Sequence, residues 1–245
     1  EFFMYNYQHI EVDTHTHTVL SGHAWSTLNE NCIAASSRGL KGLCLTEHGP
    51  AMDHSLNSFS SCSLGMIPEF VHGIRVFTGM EFNITNFNGD IDHIEPVSHK
   101  HIHFGIASMH DVCMPLGTKK QHTEAYIAAL NNPLVDILGH PGYAYFPNDP
   151  EPIVLEAKRL DKLIEINNNS FRARKGSEEN CLRFIRYCKQ YGVRVCVSSD
   201  AHFDSMVGVV PRALKLLMDA DFPAELILNR TYHDFAGYLS DRGRI

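Results

Sequence analysis

The chain has 245 residues, 44% of them hydrophobic and 20% charged, and a formal net charge of −7 with histidines neutral. That is the composition of an ordinary globular protein with enough chain for a full core. The absence of any apolar run near 18 residues argues against a membrane span, and an acidic chain without a basic stripe argues against stable nucleic-acid binding, so a small substrate is favoured.

No linker rich in Pro, Gly and Ser divides the chain, so one domain over residues 1–245 is expected. Met4 is read as the natural start, with residues 1–3 an addition, and no secretory signal is expected. The cysteines at 32, 44, 62, 113, 181, 188 and 196 are scattered and lack a CxxC pair. Free thiols in a reducing compartment fit that pattern, and the expected location is the cytoplasm.

Short β-rich runs alternate with helical runs along the chain. Strands are predicted at 9–15, 42–48, 75–81, 102–110, 135–140, 162–168 and 193–200. Helices are predicted from Thr27, which serves as N-cap, to Gly39, and at 121–132, 151–161 and 210–220. Another is expected at 177–192, with Ser177 capping it and Gly192 closing it, and one or two more after 223. Strand and helix in single file predict parallel βαβ units, hence a doubly wound sheet or a (β/α) barrel. Residues 50–66 read as a long Ser-rich loop able to cover a site, 84–100 as a hairpin or excursion, and 142–152 as a Tyr- and Pro-rich loop.

Sixteen histidines stand against one tryptophan, and their positions carry the information. His15 and His17 end the first predicted strand, and a period of two points them to one face. His48, Glu81, His110 and His140 end the second to fifth strands, and Asp200 with His202 repeats the i, i+2 spacing after the seventh. In α/β barrels and open sheets, functional groups collect at the carboxyl ends of strands. One such histidine is ordinarily structural. A convergent set of N and O donors without cysteine points to Zn, Mn or Fe. His101 and His103 have the opposite parity to His110 and should face away; Cys44 and Cys196 lie inside apolar runs and read as core.

The segments "DTHTHT", "TEHG", "GMEFN", "SMHD", "GHPG" and "SSDAH" occur in this order. Together they resemble the motifs of the PHP (polymerase and histidinol phosphatase) metal-dependent phosphoesterases. "VLSGHAWST" and "EINNNSFRARKGSEENC" are similar to the YcdX-like bacterial phosphatases of that family, and the resemblance runs over about residues 7–243. It implies a distorted seven-stranded (β/α)7 barrel, TIM-like, with three divalent metal ions at the carboxyl ends of the strands; zinc is expected, with manganese or iron as alternatives.

Position by position, the resemblance implies that His15, His17, Glu81 and Asp200 hold one metal. Glu81 would bridge to a second with His110 and His140, and His23, His48 and His202 would hold a third. Where the family commonly reads Asp-His, this chain reads Glu47-His48, and the longer carboxylate is expected to affect the orientation of His48.

The reaction expected is hydrolysis of a small phosphomonoester by a hydroxide held between two metals, with no side chain assigned as acid or base. Arg172, Arg174 and Lys175 are the candidates for substrate phosphate, because guanidinium forks suit it. Asn167 to Asn169 either orient substrate or make the turn. Two alternatives remain: cleavage of nucleotide ends as a phosphodiesterase or nuclease, and a non-catalytic metal-binding regulator. The acidic balance weighs against the first for long polymers, and the intact ligand set against the second.

Overall fold

Strands covered on both sides should be apolar throughout rather than alternating, and the runs around Leu43, Val76 and Ile164 have that character. The computed structural model describes residues 9–245, so the expectations about residues 1–4 lie outside the described residues. The strands are β1 (Val12–Thr16), β2 (Gly42–His48), β3 (Phe70–Val71), β4 (Ile74–Asn83), β5 (Phe104–Ser108), β6 (Ile137–Leu138), β7 (Leu163–Asn167) and β8 (Val195–Ser198). All but β3 are parallel and pair in chain order, forming a nearly closed seven-stranded barrel. β3 pairs antiparallel with β4 through a two-residue turn, His72-Gly73, in which both residues have positive φ. That is the tight hairpin geometry whose twist suits the flanking strands; the sequence reading did not include this strand.

Each barrel strand divides its residues between two cores. Val12, Cys44, Phe77, Phe104, Leu163 and Cys196 form the lower interior cluster, packed on Phe235, Tyr238 and Leu239. Those three come from the last helix, which plugs the amino end of the barrel; Phe235 meets Phe77 and Phe104 edge-on at 5.3 and 5.2 Å. The alternate residues, such as Leu43, Leu45, Val76, Met80, Ile164 and Val197, belong to the outer cluster under the helices.

The helices are α1 (Leu28–Ser37), α2 (Lys119–Leu130), α3 (Pro150–Leu160), the single turn α4 (Ser170–Ala173), α5 (Ser177–Tyr191), α6 (Pro211–Asp219) and α7 (Tyr232–Asp241). Thr27 and Glu30 form a reciprocal capping box on α1, and Gly192 ends α5 in the left-handed region. Ser177 does not cap α5: Gly176 occupies that position with positive φ, and Ser177 is the first helical residue. The expected strands at 102–110, 135–140 and 193–200 shorten to β5, β6 and β8, because their ends curl into loops that carry side chains inward.

Residues 50–66 are not a free-hanging lid. Ser60–Met66 forms a 3-10 helix that packs on a second one, Pro96–His101, where the Ser61 hydroxyl meets the Ser98 hydroxyl at 2.7 Å. The 84–100 excursion starts as a small hairpin, with Ile84 bridged to Ile91.

Parity in β1 needs a correction that alternation alone does not foresee. Val12 points into the barrel, and strict alternation would then turn His15 outward. The pairing with β2 shifts between Asp13 and Thr16, three steps on β1 against two on β2. This bulge resets the alternation and brings His15 and His17 inward.

Between β1 and the end of β8 the seam closes through a backbone bridge, with His17 N donating to Ala201 O at 2.9 Å, and through one side chain. The fully buried Asn229 donates to Val12 O (2.7 Å) and Val197 O (2.6 Å) and accepts from Val197 N (2.9 Å). Its amide completes both strand edges where they part. Asp13 adds a second staple, accepting from Ser199 N (3.1 Å), Ser199 Oγ (2.5 Å) and Gly208 N (2.7 Å). Removing the amide strands several buried backbone groups, so Asn229→Ala is expected to cost about 3 kcal/mol of unfolding free energy. Urea unfolding measures this; a loss indistinguishable from zero would show that the seam is held otherwise.

Candidate metal centre

Strands β1, β2 and β4 carry His15, His48 and Glu81 to one end of the barrel, and the loops that follow β1, β5, β6 and β8 bring His17, His110, His140 and Asp200 to the same end. His15, His17, His48, Glu81, His140 and Asp200 are buried there, and His110 nearly so. Glu81 lies at the centre. Its Oε2 faces His15 Nε2 (3.2 Å), His17 Nε2 (3.4 Å) and His48 Nδ1 (2.8 Å), and its Oε1 faces His140 Nε2 (2.9 Å) and His110 Nε2 (3.4 Å). Asp200 Oδ1 lies 3.7 Å from His15 Nε2 and 3.4 Å from His17 Nε2. His23 Nε2 and His202 Nε2 meet at 3.0 Å, the His23 ring stacks on His48, and the His17 and His202 rings lie 4.4 Å apart. All nine residues singled out in the sequence are brought into one cluster.

The donor chemistry suits cations. His15 Nε2 and His17 Nε2 face each other at 3.0 Å, and buried His48 Nδ1 and Nε2, Glu81 Oε2, His110 Nε2 and Asp200 Oδ1 have no hydrogen-bond partner. His15 Nε2 and His17 Nε2 lie 3.0 to 3.7 Å from each other and from the nearest oxygens of Glu81 and Asp200. A tetrahedron with bonds of about 2.0–2.1 Å has edges of about 3.4 Å. Three trios offer such atoms: His15, His17 and Glu81; His48, Glu81 and His110; and His17, His48 and His202.

A surrounding ring of partners orients the imidazoles. His15 Nδ1 bonds Glu165 Oε1 at 2.6 Å; that oxygen also accepts from Ser198 Oγ, and Glu165 Oε2 accepts from His140 N. His17 Nδ1 meets Ser21 Oγ at 2.9 Å, and Ser21 donates to Glu47. His110 Nδ1 donates to Asn83 Oδ1 at 2.7 Å, and Asn83 Nδ2 donates to Asp92 Oδ2 at 3.0 Å. His202 Nδ1 donates to Asp200 O at 3.0 Å. In each case the other ring nitrogen is left toward the cluster, the arrangement by which outer partners fix a ligand's tautomer.

Glu47 therefore does not act on the His48 ring. Its carboxylate accepts from Thr18 N, Thr18 Oγ1 and Ser21 Oγ, and it reaches His17 through Ser21, whose oxygen also accepts from His48 N (3.2 Å). Gly22 makes this turn possible: its φ is 78°, and a Cβ there would lie 2.6 Å from His54 O. Gly49 has a similar function, since a Cβ would lie 2.2 Å from Asp92 Oδ2.

Glu165, Asn83 and Asp92 are not foreseen by the sequence, and Ser21, which reads there as part of a turn with Gly22, also meets His17. For Glu165 a signal was present: an acid at the inward parity of an otherwise apolar strand. Asn167, left between two roles, donates to Asp200 Oδ2 and Glu165 Oε2 (both 3.2 Å), and its Oδ1 accepts from Ser170 N. It buttresses the cluster and starts α4.

An open cleft of about 700 Å³ lies over the centre, lined by residues that include His23, His110, His202, Arg172 and Arg174. Arg174 Nη1 donates to Asp200 Oδ2 (3.0 Å) and Ser170 Oγ (3.3 Å). Arg172 lies in the cleft wall beside Met206, whereas Lys175 is not among its lining residues. Glu178, at the start of α5, is paired by Arg212 at 2.9 Å. His101 and His103 sit away from the centre: the His101 ring covers Gly65, and His103 Nδ1 meets Thr78.

The PHP domain family matches residues 13–178 of this chain. The chain belongs to that family. A Caldicellulosiruptor bescii protein named "probable phosphatase" is 43% identical over 235 residues, 96% of this chain and 98% of its own length. An Acetivibrio thermocellus protein of the same name is 44% identical over 228 residues, covering 93% and 94%. Among solved structures, histidinol phosphate phosphatase from Lactococcus lactis, complexed with zinc, L-histidinol and phosphate, aligns with a TM-score of 0.58 over 87% of this chain and 94% of that one, at 20% identity. This PHP chain thus shares its barrel with that enzyme. Among the described residues no helix is long and apolar enough to cross a membrane, and all seven cysteines are free.

The protonation states separate two kinds of histidine. Burial pushes His48 and His140 down to about 4, and pushes His17 well below its usual range, so these rings are neutral at pH 7 as metal ligands must be. Burial acts on His15 in the same direction but is overridden by Glu81, Glu165 and Asp200, which hold it well above the usual value. Without metal, the unfolded chain takes up protons below about pH 6.5 that folded His48 and His140 refuse. Their contribution to stability is thus present above that pH and lost as pH falls toward 4. His15 has the reverse sign: its contribution is complete below about pH 6.5 and lost as pH rises through its raised folded value. Imidazole NMR titration of chelator-treated protein should show His48 and His140 titrating near 4 and His15 well above 6.5; one shared midpoint for all three would contradict this.

Proposed function

We propose that this chain is a metal-dependent phosphatase that hydrolyses small phosphomonoesters at a centre of three divalent ions, zinc first among them, with manganese or iron also suited to the donors. The observation that carries the reading is the convergence of unpartnered ring nitrogens and carboxylate oxygens on Glu81, at the separations metal ligands require. Its close relatives' name supports phosphatase activity. His15, His17, Glu81 and Asp200 would hold one ion, Glu81 with His110 and His140 a second, and His23, His48 and His202 a third.

Bound there, divalent ions supply positive charge to the phosphate and bring the pKa of water toward neutrality. The residues of the chain do the rest. Glu81, which reaches ring nitrogens with both oxygens, would serve as a shared anion, lowering the summed charge of bound ions without cancelling it. Glu165, Ser21 and Asn83 keep His15, His17 and His110 in one tautomer, so little reorganisation is needed when substrate arrives. Arg174 holds Asp200 by one oxygen and leaves the other toward His15 and His17, and its guanidinium borders the cleft, where it can engage substrate phosphate.

Purified protein is expected to release phosphate from p-nitrophenyl phosphate, to lose this on chelation, and to recover it with zinc, manganese or iron. His17→Ala should abolish the activity while circular dichroism shows the fold retained. Failure on a broad panel of monoesters with three metals bound would overturn the reading. Ser21→Ala, which touches no substrate, should weaken metal retention about ten- to a hundredfold, read as metal content after dialysis against a competing chelator.

A further inference from the structure

The chain's only tryptophan is 77% exposed and lines the cleft, as does Phe203, itself 49% exposed. Both positions are held by backbone rather than by the rings. Trp25 N donates to His202 O at 2.9 Å, Val19 N to Ser26 O at 2.9 Å, and Asp204 N to the Ser26 hydroxyl at 2.8 Å. These bonds dock residues 25–26 against 202–204, next to two histidines of the centre. The rings themselves contribute little to the core. A large indole left in water at the lip of a polar site has a surface suited to stacking on a flat ring.

Resting on the phosphatase reading, we propose that Trp25 and Phe203 form a stacking platform for a nucleobase, so that the substrates this protein prefers are nucleoside monophosphates. The cleft is far larger than a phosphate group needs, and its lining divides accordingly. Arg174 and Arg172 offer cationic forks for the phosphate, while Trp25, Phe203 and Met206 provide the apolar part for the alcohol half of the ester. Hydrolysis forms one P–O bond from water and breaks the ester P–O bond. The proton from water ends on the nucleoside hydroxyl, and the base takes no part in bond making. Stacking tolerates any base, because each presents a π-face.

Adenosine 5′-monophosphate and ribose 5-phosphate carry the same phosphate and sugar and differ by the base, so their kcat/KM ratio isolates the platform. The ratio is expected to exceed about ten in the native metal-loaded protein, to fall toward one in Trp25→Ala and in Phe203→Ala, and to be largely kept in Trp25→Phe. Because Trp25 is the sole tryptophan, its fluorescence should also be quenched saturably by adenosine 5′-monophosphate and not by ribose 5-phosphate. A native ratio near one, or a ratio unmoved in both alanine variants, overturns the platform while leaving a phosphatase active on other monoesters intact. If no monoester is hydrolysed, the phosphatase reading falls, and the quenching titration alone then decides whether the aromatic pair binds a base; absence of quenching rejects it.

Discussion

Glu81 is the residue on which the architecture turns. A carboxylate with no solvent exposure is costly unless it is matched by charge or hydrogen bonds, and burial by itself would push its pKa up. The rings of His15, His110 and His48 overcome that effect and hold it well below the usual carboxylate range. One oxygen serves the side of the barrel built by β1 and β2, the other the side built by β5 and β6. The β4 strand must therefore run long enough to place Glu81 at the level where its neighbours end, and it is the longest strand in the sheet. A shift of one residue in β4 would turn Glu81 outward and remove the shared anion from both groups.

The centre is organised mainly by its second ring of residues, and that ring explains several oddities of the chain. The 84–100 excursion brings back Asp92, which accepts from Asn83 and from Ala51 N (2.5 Å), tying the loop after β2 to the partner of His110. Glu165 joins β7 to His15 and to the backbone of His140. Both His140 and Asp200 adopt positive φ, uncommon for residues with side chains. Backbone strain of this kind costs on the order of 1–3 kcal/mol per residue and persists only where the surroundings impose it; here Glu165 and Arg174 hold the two residues in place.

Much of this was legible in the sequence, for a reason that particular residues make plain. Cys44 and His48, and Phe77 and Glu81, share parity within β2 and β4, so a strand that buries the first must point the second into the same interior, whereas His110 and Asp200 follow the ends of β5 and β8 and are turned inward by the loops there. The period of two thus marks both core and centre. It fails in β1, where the bulge between Asp13 and Thr16 lets Val12 and His15 face the same way despite their odd spacing. It is also silent about Glu47: nothing local tells whether its carboxylate turns to His48 beside it or to Ser21, which lies in another segment. Asn229 was read only as part of a terminal helical stretch, because its function is defined by two strand edges far away in the chain.

Arg174 shows how the protein reconciles anion binding with its own acids. A guanidinium beside Asp200 would ordinarily compete with a cation for that carboxylate. Here the two functions are divided between its oxygens, Oδ2 facing Arg174 and Asn167, and Oδ1 facing His15 and His17 without a hydrogen bond. The division depends on the carboxylate plane, fixed by the positive φ of Asp200 and by Asn167. Asp200 is thereby kept ionised, its pKa well below the usual range because His15 and Arg174 outweigh the effect of burial. The same contact holds Arg174 at the cleft, where its largely covered guanidinium is set against its counter-charge. One carboxylate thus couples the donor cluster to the cationic wall above it, which is why the two occur together at the same end of the barrel.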